Sequence, residues 1–306
     1  MKDINATLIF AAVIDEGSFS GAADRLGVTK SAVSKRITTL EARLGVKLLS
    51  RTTRKLSLTE AGERYLIHVR EALRAIEDAE FAAGELQEVP QGVLKISSPM
   101  SFGRLHVAPV IPQFLKKYPQ IKIQMDMSDM SPDLVGGGYD IALHAGELSE
   151  TSLVRRKLAP LHSVLCASES YIEEFGPPLM PDELVRHNCL LYSYHTSVDE
   201  WVFTKNGTDT RIQVSGSYQV NNSEALREAI LQGIGIGRLP TFLAGPDIQS
   251  GRLVPVLQDF EMPMKEIYAV FPERKYLPQK VRVFIDFIVD YLGGDVPYWD
   301  RWKTSF

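Results

Sequence analysis

Residues 17–62 read GSFSGAADRLGVTKSAVSKRITTLEARLGVKLLSRTTRKLSLTEAG, and the spacing of small and apolar residues in this run decides the fold of one end of the chain. Gly17 closes an amphipathic helix over residues 5–15, where Ala6, Ile9, Phe10 and Val13 recur at i, i+3, i+4 and i+7. Ser18 is placed to cap a short helix from Phe19 to Leu26, whose Ala22-Ala23 pair permits close packing. Gly27 supplies a tight turn. Thr29 then caps a third helix with Val33, Ile37, Leu40 and Leu44 as its buried stripe, ended by Gly45. Two helices joined by a Gly-containing turn, with a third behind, make a helix-turn-helix, whose second helix enters the DNA major groove by its leading end. The face opposite the stripe presents Lys30, Ser31, Ser34 and Lys35 to base edges and phosphates, with Thr29 at the cap and Arg36 on the flank. From Lys47 to Leu58 the chain alternates Leu48, Leu49, Leu56 and Leu58 with Arg51, Arg54 and Lys55. That pattern suits a small hairpin whose basic tip grips phosphates or reaches the minor groove.

The charge distribution agrees with this reading. Residues 1–58 hold ten Lys or Arg against five acids, a balance of +5 within a chain of net charge −4, so the remaining 248 residues carry −9. A basic arm on an acidic body is the layout of a polyanion-binding module joined to something else. At 306 residues and 44% apolar side chains the chain can bury two or three cores, and 24% charged residues argue against wholesale disorder. No stretch approaches the roughly 18–20 apolar residues of a spanning helix, and no basic leader precedes an apolar run, so the expected location is the cytoplasm, with no membrane partner. Cys166 and Cys189 lack disulfide-framework and metal-ligand spacing. They read as two buried thiols, with a redox pair as the alternative.

Thr59 can cap a long helix running to about Glu88, with Glu60 and Glu63 favourably placed in its first turn. Its apolar positions Tyr65, Val69, Ala72, Ile76, Ala79, Ala83 and Leu86 alternate spacings of four and three, the seam of a coiled coil. The seam predicts pairing with a second copy, which would bring two recognition helices to two half-sites; a helix folded back on its own body is the alternative. Val89-Pro90-Gln91-Gly92 breaks the helix. Beyond it, strands alternate with helices: strands at 93–97, 121–127, 139–143, 190–194, 214–220, 234–238 and 267–271, and helices at 102–118, 223–232 and 278–292. Such alternation predicts mostly parallel sheets covered on both faces.

These residues carry a family resemblance. Gly17-Ser18-Phe19-Ser20, Ala22-Ala23, Leu26-Gly27-Val28-Thr29, Ala32-Val33-Ser34, Leu40-Glu41, Leu44-Gly45, Leu48-Leu49-x-Arg51 and Leu58-Thr59-x-Ala61-Gly62 resemble the N-terminal pattern of the LysR-type transcriptional regulators. Lys30 and Ser31 depart from it, standing where the family often has Gln and Pro. Further on, Gly92-x-Leu94-x-Ile96-Ser97, Tyr139-Asp140-Ile141-Ala142, Leu158-Ala159-Pro160, Gly233-x-Gly235-Ile236-Gly237 and Leu239-Pro240 resemble the family's effector domain. Residues 186–190 and 280–287 are similar to a subgroup with aromatic-acid and quorum-type regulators. The resemblance implies a two-lobed domain similar to type 2 periplasmic binding proteins, crossover strands near 161–166 and 263–269, a homotetramer, RNA polymerase as a partner, and no cofactor.

The expected fold is therefore α/β with an N-terminal winged helix-turn-helix (1–58), a long linker helix (59–89) and a two-lobed effector domain (90–292). Lobe 1 takes about 90–163 and 267–292, lobe 2 about 164–266, and a tail at 293–306 lies outside the resemblance. In open α/β sheets a ligand sits beyond the carboxyl ends of strands. There Ser98, Pro99, Met100, Ser101 and Phe102 could receive a carboxylate on free N–H groups and hydroxyls, or Ser98 and Ser101 could merely cap the helix. Ser128, His144, Asn222 and Pro240 are further candidates, though His144 also suits a hydrogen-bonded core position and Asn222 a helix cap. Arg238 offers a fixed cation for a charge-assisted contact, unless it pairs with a structural carboxylate. An α/β enzyme with an accessory DNA-binding head is the competing class. Against it, the chain has no Gly-x-Ser-x-Gly elbow, P-loop or His-Glu-x-x-His, and the Gly233–Gly237 run enters a strand rather than leaving one.

Overall fold

The structure, a computed structural model, describes residues 4–52, 55–84, 89–130, 134, 138–146, 153–193, 198–273, 277–293 and 296–305. The chain divides into two compact units, the first built on residues up to Glu88 and the second on most of the remainder.

In the first unit, α1 (Ile4–Asp15), α2 (Phe19–Leu26) and α3 (Lys30–Leu44) are followed by the antiparallel hairpin β1 (Leu49–Thr52) and β2 (Lys55–Leu58), then α4 (Glu60–Gly84). The apolar spacing does what it predicts: Ile9, Phe10, Val13, Val33, Ile37 and Leu40 are buried together with Leu48 and Leu49. Each such side chain contributes roughly 1.5–3 kcal/mol by leaving water. Ser18 accepts from Gly21 N and Thr29 from Ala32 N, so both helices start where the caps predict. Gly27 sits at φ 63°, a left-handed conformation that lets Val28 N return to Ala23 O and turns the chain sharply between α2 and α3.

Two expectations need correcting. Leu44 is exposed, because α3 outruns the core in its last turn. The seam of α4 is also divided. Val69 and Leu66 are buried in the first unit's own core, and the Tyr65 ring packs at a tilt against Phe10 at 5.5 Å, so the leading turns of the stripe are spent within the chain. Ile76 remains exposed. The side chains of Ala79 and Ala83 and all of Leu86 fall outside the described residues.

The second unit holds β3 (Gly92–Ser98), then a helical run from α5 (Met100–Phe102) through a π turn (Gly103–Val107) and a 3-10 turn (Ala108–Val110) to α6 (Ile111–Lys117). Next come β4 (Ile121–Met127), β5 (Ile141–Ala145), β6 (Leu153–Leu161), β7 (Ser163–Ser168), α7 (Glu169–Phe175) and β8 (Cys189–Tyr192). The hairpin β9 (Glu200–Lys205) and β10 (Thr208–Gln213) precedes β11 (Gln219–Val220), α8 (Ser223–Leu231), β12 (Ile236–Pro240) and α9 (Thr241–Gln249). The unit finishes with β13 (Leu253–Pro255), β14 (Lys265–Pro272), α10 (Gln279–Leu292) and a 3-10 segment, Tyr298–Ser305.

Two five-stranded sheets share one plan. In the order β4-β3-β5-β14-β6 and again in β11-β8-β12-β7-β13, four strands run one way and the fourth in the order, β14 or β7, runs against both its neighbours. The sheets are therefore mixed rather than mostly parallel. The reason is the double crossing: β6 leaves the first sheet at Leu161 and β7 enters the second at Ser163, while β13 leaves the second and β14 enters the first. Strands that arrive from the other lobe run against their new neighbours. The β9/β10 hairpin, absent from the sequence pattern's strands, turns on Asn206 and Gly207, both at positive φ. Cys166 and Cys189 are buried free thiols, and burial pushes the pKa of each up to about 12, away from the thiolate form that reacts.

Candidate DNA-reading and effector sites

The leading end of α3 is open to solvent: Thr29, Lys30, Ser31, Lys35 and Arg36 are exposed and Ser34 is half-buried, on the side away from Val33 and Ile37. Thr29 and Ser31 share a hydrogen bond at 3.0 Å between hydroxyls. Thr38 and Thr39, also exposed, instead donate back to the carbonyls of Ser34 and Lys35. The hairpin carries Arg51 and Lys55 on its two strands, but their side chains and all of Arg54 lie outside the described residues.

What fixes the hairpin against α3 is Glu41, a residue that in sequence looks like one more surface acid. It is 3% exposed and accepts from Leu48 N at 3.0 Å, Leu49 N at 3.2 Å and Lys47 Nζ at 2.7 Å. Burial would raise its pKa, yet the Lys47 and backbone hydrogen bonds together hold it below the usual value, so it stays charged. Gly62 completes the joint: a Cβ there would lie 2.1 Å from Leu48 O, so only glycine lets α4 pass this close to the hairpin.

In the second unit a cavity of about 120 Å³ opens between the two sheets. Of the predicted residues it is lined by Pro99, Ser101, Phe102, Arg238 and Pro240. Ser98, Met100, Ser128, His144 and Asn222 are not among its lining. Ser98 is buried with its hydroxyl on Pro99 O; Ser128 accepts from Met130 N; His144 sits in β5 opposite Tyr268; Asn222 caps α8 through Glu224 N and Ala225 N. One of the N–H groups expected to greet a carboxylate, that of Met100, is already used, as is the next one beyond the loop, that of Gly103. Met100 N donates to Asp129 Oδ1 at 2.8 Å, and Gly103 N to Pro99 O at 2.7 Å.

The cavity's chemistry comes largely from residues that no local pattern marks. Asp129, Tyr192, Ser163 and Lys265 reach it from separate elements, Ser223 joins them from the helix opening that the sequence does mark, and Leu161, Phe242 and Ile267 give it apolar walls. Asp129 has its pKa raised by burial, against the lowering effect of Met100 N and the Tyr192 hydroxyl. Lys265 has its pKa lowered first by burial and then by the charge of Arg238. Arg238 is itself pushed down by burial. Its Nη2 donates to Pro263 O at 3.2 Å, while its Nε is buried with no partner among the described residues, and so is the hydroxyl of Ser101. No carboxylate pairs with Arg238 among those residues. The cavity thus sets two partly desolvated cations, a carboxyl group and an unsatisfied hydroxyl beside aromatic and aliphatic walls.

An exposed helix end bearing hydroxyls and cations, together with a cation-lined cavity between two lobes, defines a DNA-binding regulator with a small-molecule-sensing domain. Residues 4–63 match the bacterial regulatory helix-turn-helix protein, lysR family, and residues 87–293 match the LysR substrate binding domain. Over 300 residues the chain is 40% identical to an HTH-type transcriptional regulator of Xanthomonas campestris pv. campestris, covering 97% of this chain and 87% of that protein. Among solved structures, CrgA, a LysR-type transcriptional regulator from Neisseria meningitidis, is 35% identical with a TM-score of 0.62, over 95% of this chain and 99% of that one. The Vibrio cholerae virulence activator AphB, at 28% identity, has a TM-score of 0.63 over the same shares. The chain belongs to the LysR-type transcriptional regulators and is a DNA-binding regulator with an effector-binding domain. Among the described residues, no helix is long and apolar enough to cross a membrane.

Proposed function

We propose that this regulator is controlled by a small carboxylate, with aromatic acids as one candidate class, held between the lobes by Arg238 and Lys265. The observation that carries this reading is half-buried Arg238, whose Nε is buried with no partner among the described residues, lining a cavity of about 120 Å³ that Phe102, Phe242, Leu161 and Ile267 also line. A carboxylate there gains a charge-assisted hydrogen bond and relieves the repulsion between the two cations. Phe102 and Phe242 supply the faces for its apolar part. Ser101 offers a hydroxyl for a second polar group.

At the DNA end, Thr29, Lys30, Ser31, Ser34, Lys35 and Arg36 read or grip the operator, and Arg51, Arg54 and Lys55 hold flanking phosphates. The exposed, basic and hydroxyl-bearing lead of α3 supports this assignment. Residues 1–58 read DNA, 59–89 pair two copies, and 90–292 sense the effector in a homotetramer of the cytoplasm that acts with RNA polymerase. The relatives named as transcriptional regulators support a role without catalysis.

A thermal-shift and calorimetric screen of small carboxylates on the full chain tests the effector half. At least one acid should raise the midpoint and lose its effect in Arg238→Ala. Binding that is unchanged in that variant would end the assignment. For the DNA half, a footprint on genomic fragments should show sequence preference over random duplex at physiological salt.

A further inference from the structure

The 3-10 segment Tyr298–Ser305 lies beyond the last residue matched by the effector-domain family, residue 293, yet it packs into the joint between the lobes. Trp299 is buried, with its ring 5.9 Å from Phe102 and 4.8 Å from His106 of the first lobe, and 6.2 Å from Phe242 of the second. Phe102 and Phe242, which touch each other at 5.6 Å, are both walls of the effector cavity. Tyr298 shares a hydrogen bond with His106 and meets Tyr291 of α10 edge-on. Asp300, 4% exposed, pairs with His162 at 2.7 Å. His162 is the residue between β6 and β7, and its carbonyl accepts from Thr241 N at the head of α9.

We infer that residues 298–300 form a strap over the hinge, with Trp299 and Asp300 positioning the two aromatic walls and the crossover on which effector binding depends. The inference rests on the reading of the cavity as the effector site. Its chemistry suits a releasable contact rather than a permanent core. Trp299 Nε1 and His106 Nε2 are buried with no hydrogen-bond partner among the described residues, so the packing gives back part of what apolar burial supplies. A closure that moves Phe242 relative to Phe102 must slide both rings across the Trp299 indole or lift it out. The strap thereby sets the resting angle of the lobes.

Hydrogen exchange on the full chain tests this without any ligand. In Trp299→Ala and in a deletion of residues 296–306, peptides over 159–165 and 239–243 should exchange about tenfold faster or more. Trp299→Phe should restore them to within about threefold, because a ring can still bridge Phe102 and Phe242. Peptides in α1 and in β3 should not change. Hinge exchange within about twofold of the parent in the deletion, or an equal rise through both sheets, would overturn the strap. Benzoate calorimetry forms the second arm. Benzoate should bind the parent, and both Trp299→Ala and Arg238→Ala should weaken it about tenfold or more. Unweakened binding in Trp299→Ala alone overturns the positioning role. No binding to the parent, or unweakened binding in Arg238→Ala, counts against the cavity reading and leaves the strap to be judged by exchange.

Discussion

Helix α3 and its cap offer the side chains proposed to face DNA from one continuous run, residues 29–36, whereas the cavity proposed for the effector gathers Ser101, Asp129, Tyr192, Arg238 and Lys265 from five places along the chain. The first set stands in water, where each charge is already solvated and each contact adds separately. The second set is partly withdrawn from water before any ligand arrives, and burial shifts Asp129 up and Arg238 and Lys265 down. A surface of the first kind can be tuned one residue at a time. In a cavity of the second kind a ligand meets charges that are already partly desolvated, so on the reading proposed above its occupancy changes how the two lobes meet.

The contrast breaks most visibly at Glu41, a buried charge within the otherwise solvated DNA-reading unit. Glu41→Ala leaves Leu48 N and Leu49 N without their acceptor. The loss should be about 3 kcal/mol, seen as a lower urea midpoint for the first unit and lost operator binding, with effector binding intact.

In the second unit the matching buried group is His106. Burial, only partly offset by the Phe242 backbone, lowers its pKa from 6.5 to about 4. The unfolded chain takes up this proton near pH 6.5 and the folded chain does not until about pH 4. Stability from the neutral ring is thus complete above 6.5 and falls as the pH drops towards 4, by up to about 1.4 kcal/mol per unit. Urea midpoints from pH 7.5 to 4.5 should show this slope, and His106→Gln should flatten it.

Arg238→Ala should weaken carboxylate binding by about ten- to hundredfold in calorimetry and leave DNA affinity alone, the value of a charge-assisted contact out of water. On the solvated side, Ser34→Ala should cost about 1 kcal/mol and relax preference at one base position, while Lys35→Ala should weaken all sequences alike and lower the salt slope by about one. The smallest effect belongs to the exposed pair between Arg104 of the first lobe and Glu224 of the second, at 2.9 and 2.5 Å. Glu224→Gln should shift unfolding by no more than about 1 kcal/mol, although it joins the two lobes. A larger shift would place the lobe contact, rather than the hinge, in control of closure.

Much of the first unit was legible because helices and caps are local. Ile9, Phe10, Val33, Ile37 and Leu40 fall on the core by their spacing, and Ser18 and Thr29 cap α2 and α3. Where the local rule fails it does so for a tertiary reason: Leu44 keeps the period but has no partner to bury it, and Tyr65 and Val69 keep the heptad but pack into their own domain. The β9/β10 hairpin is legible too, in the Asn206-Gly207 turn, but apolar runs alone do not reveal it.

By itself, then, the sequence determined the helix-turn-helix, the basic face of α3 and the alternation of strands and helices, since 3.6- and 2-residue periods and caps act within a few residues. Only the tertiary structure decided that the sheets are mixed, that Asp129 occupies the helix end meant for a ligand, and that Lys265 stands beside Arg238. Those outcomes depend on which distant segments meet after the chain has crossed twice between lobes, and no spacing along the chain encodes the depth at which a charge is buried.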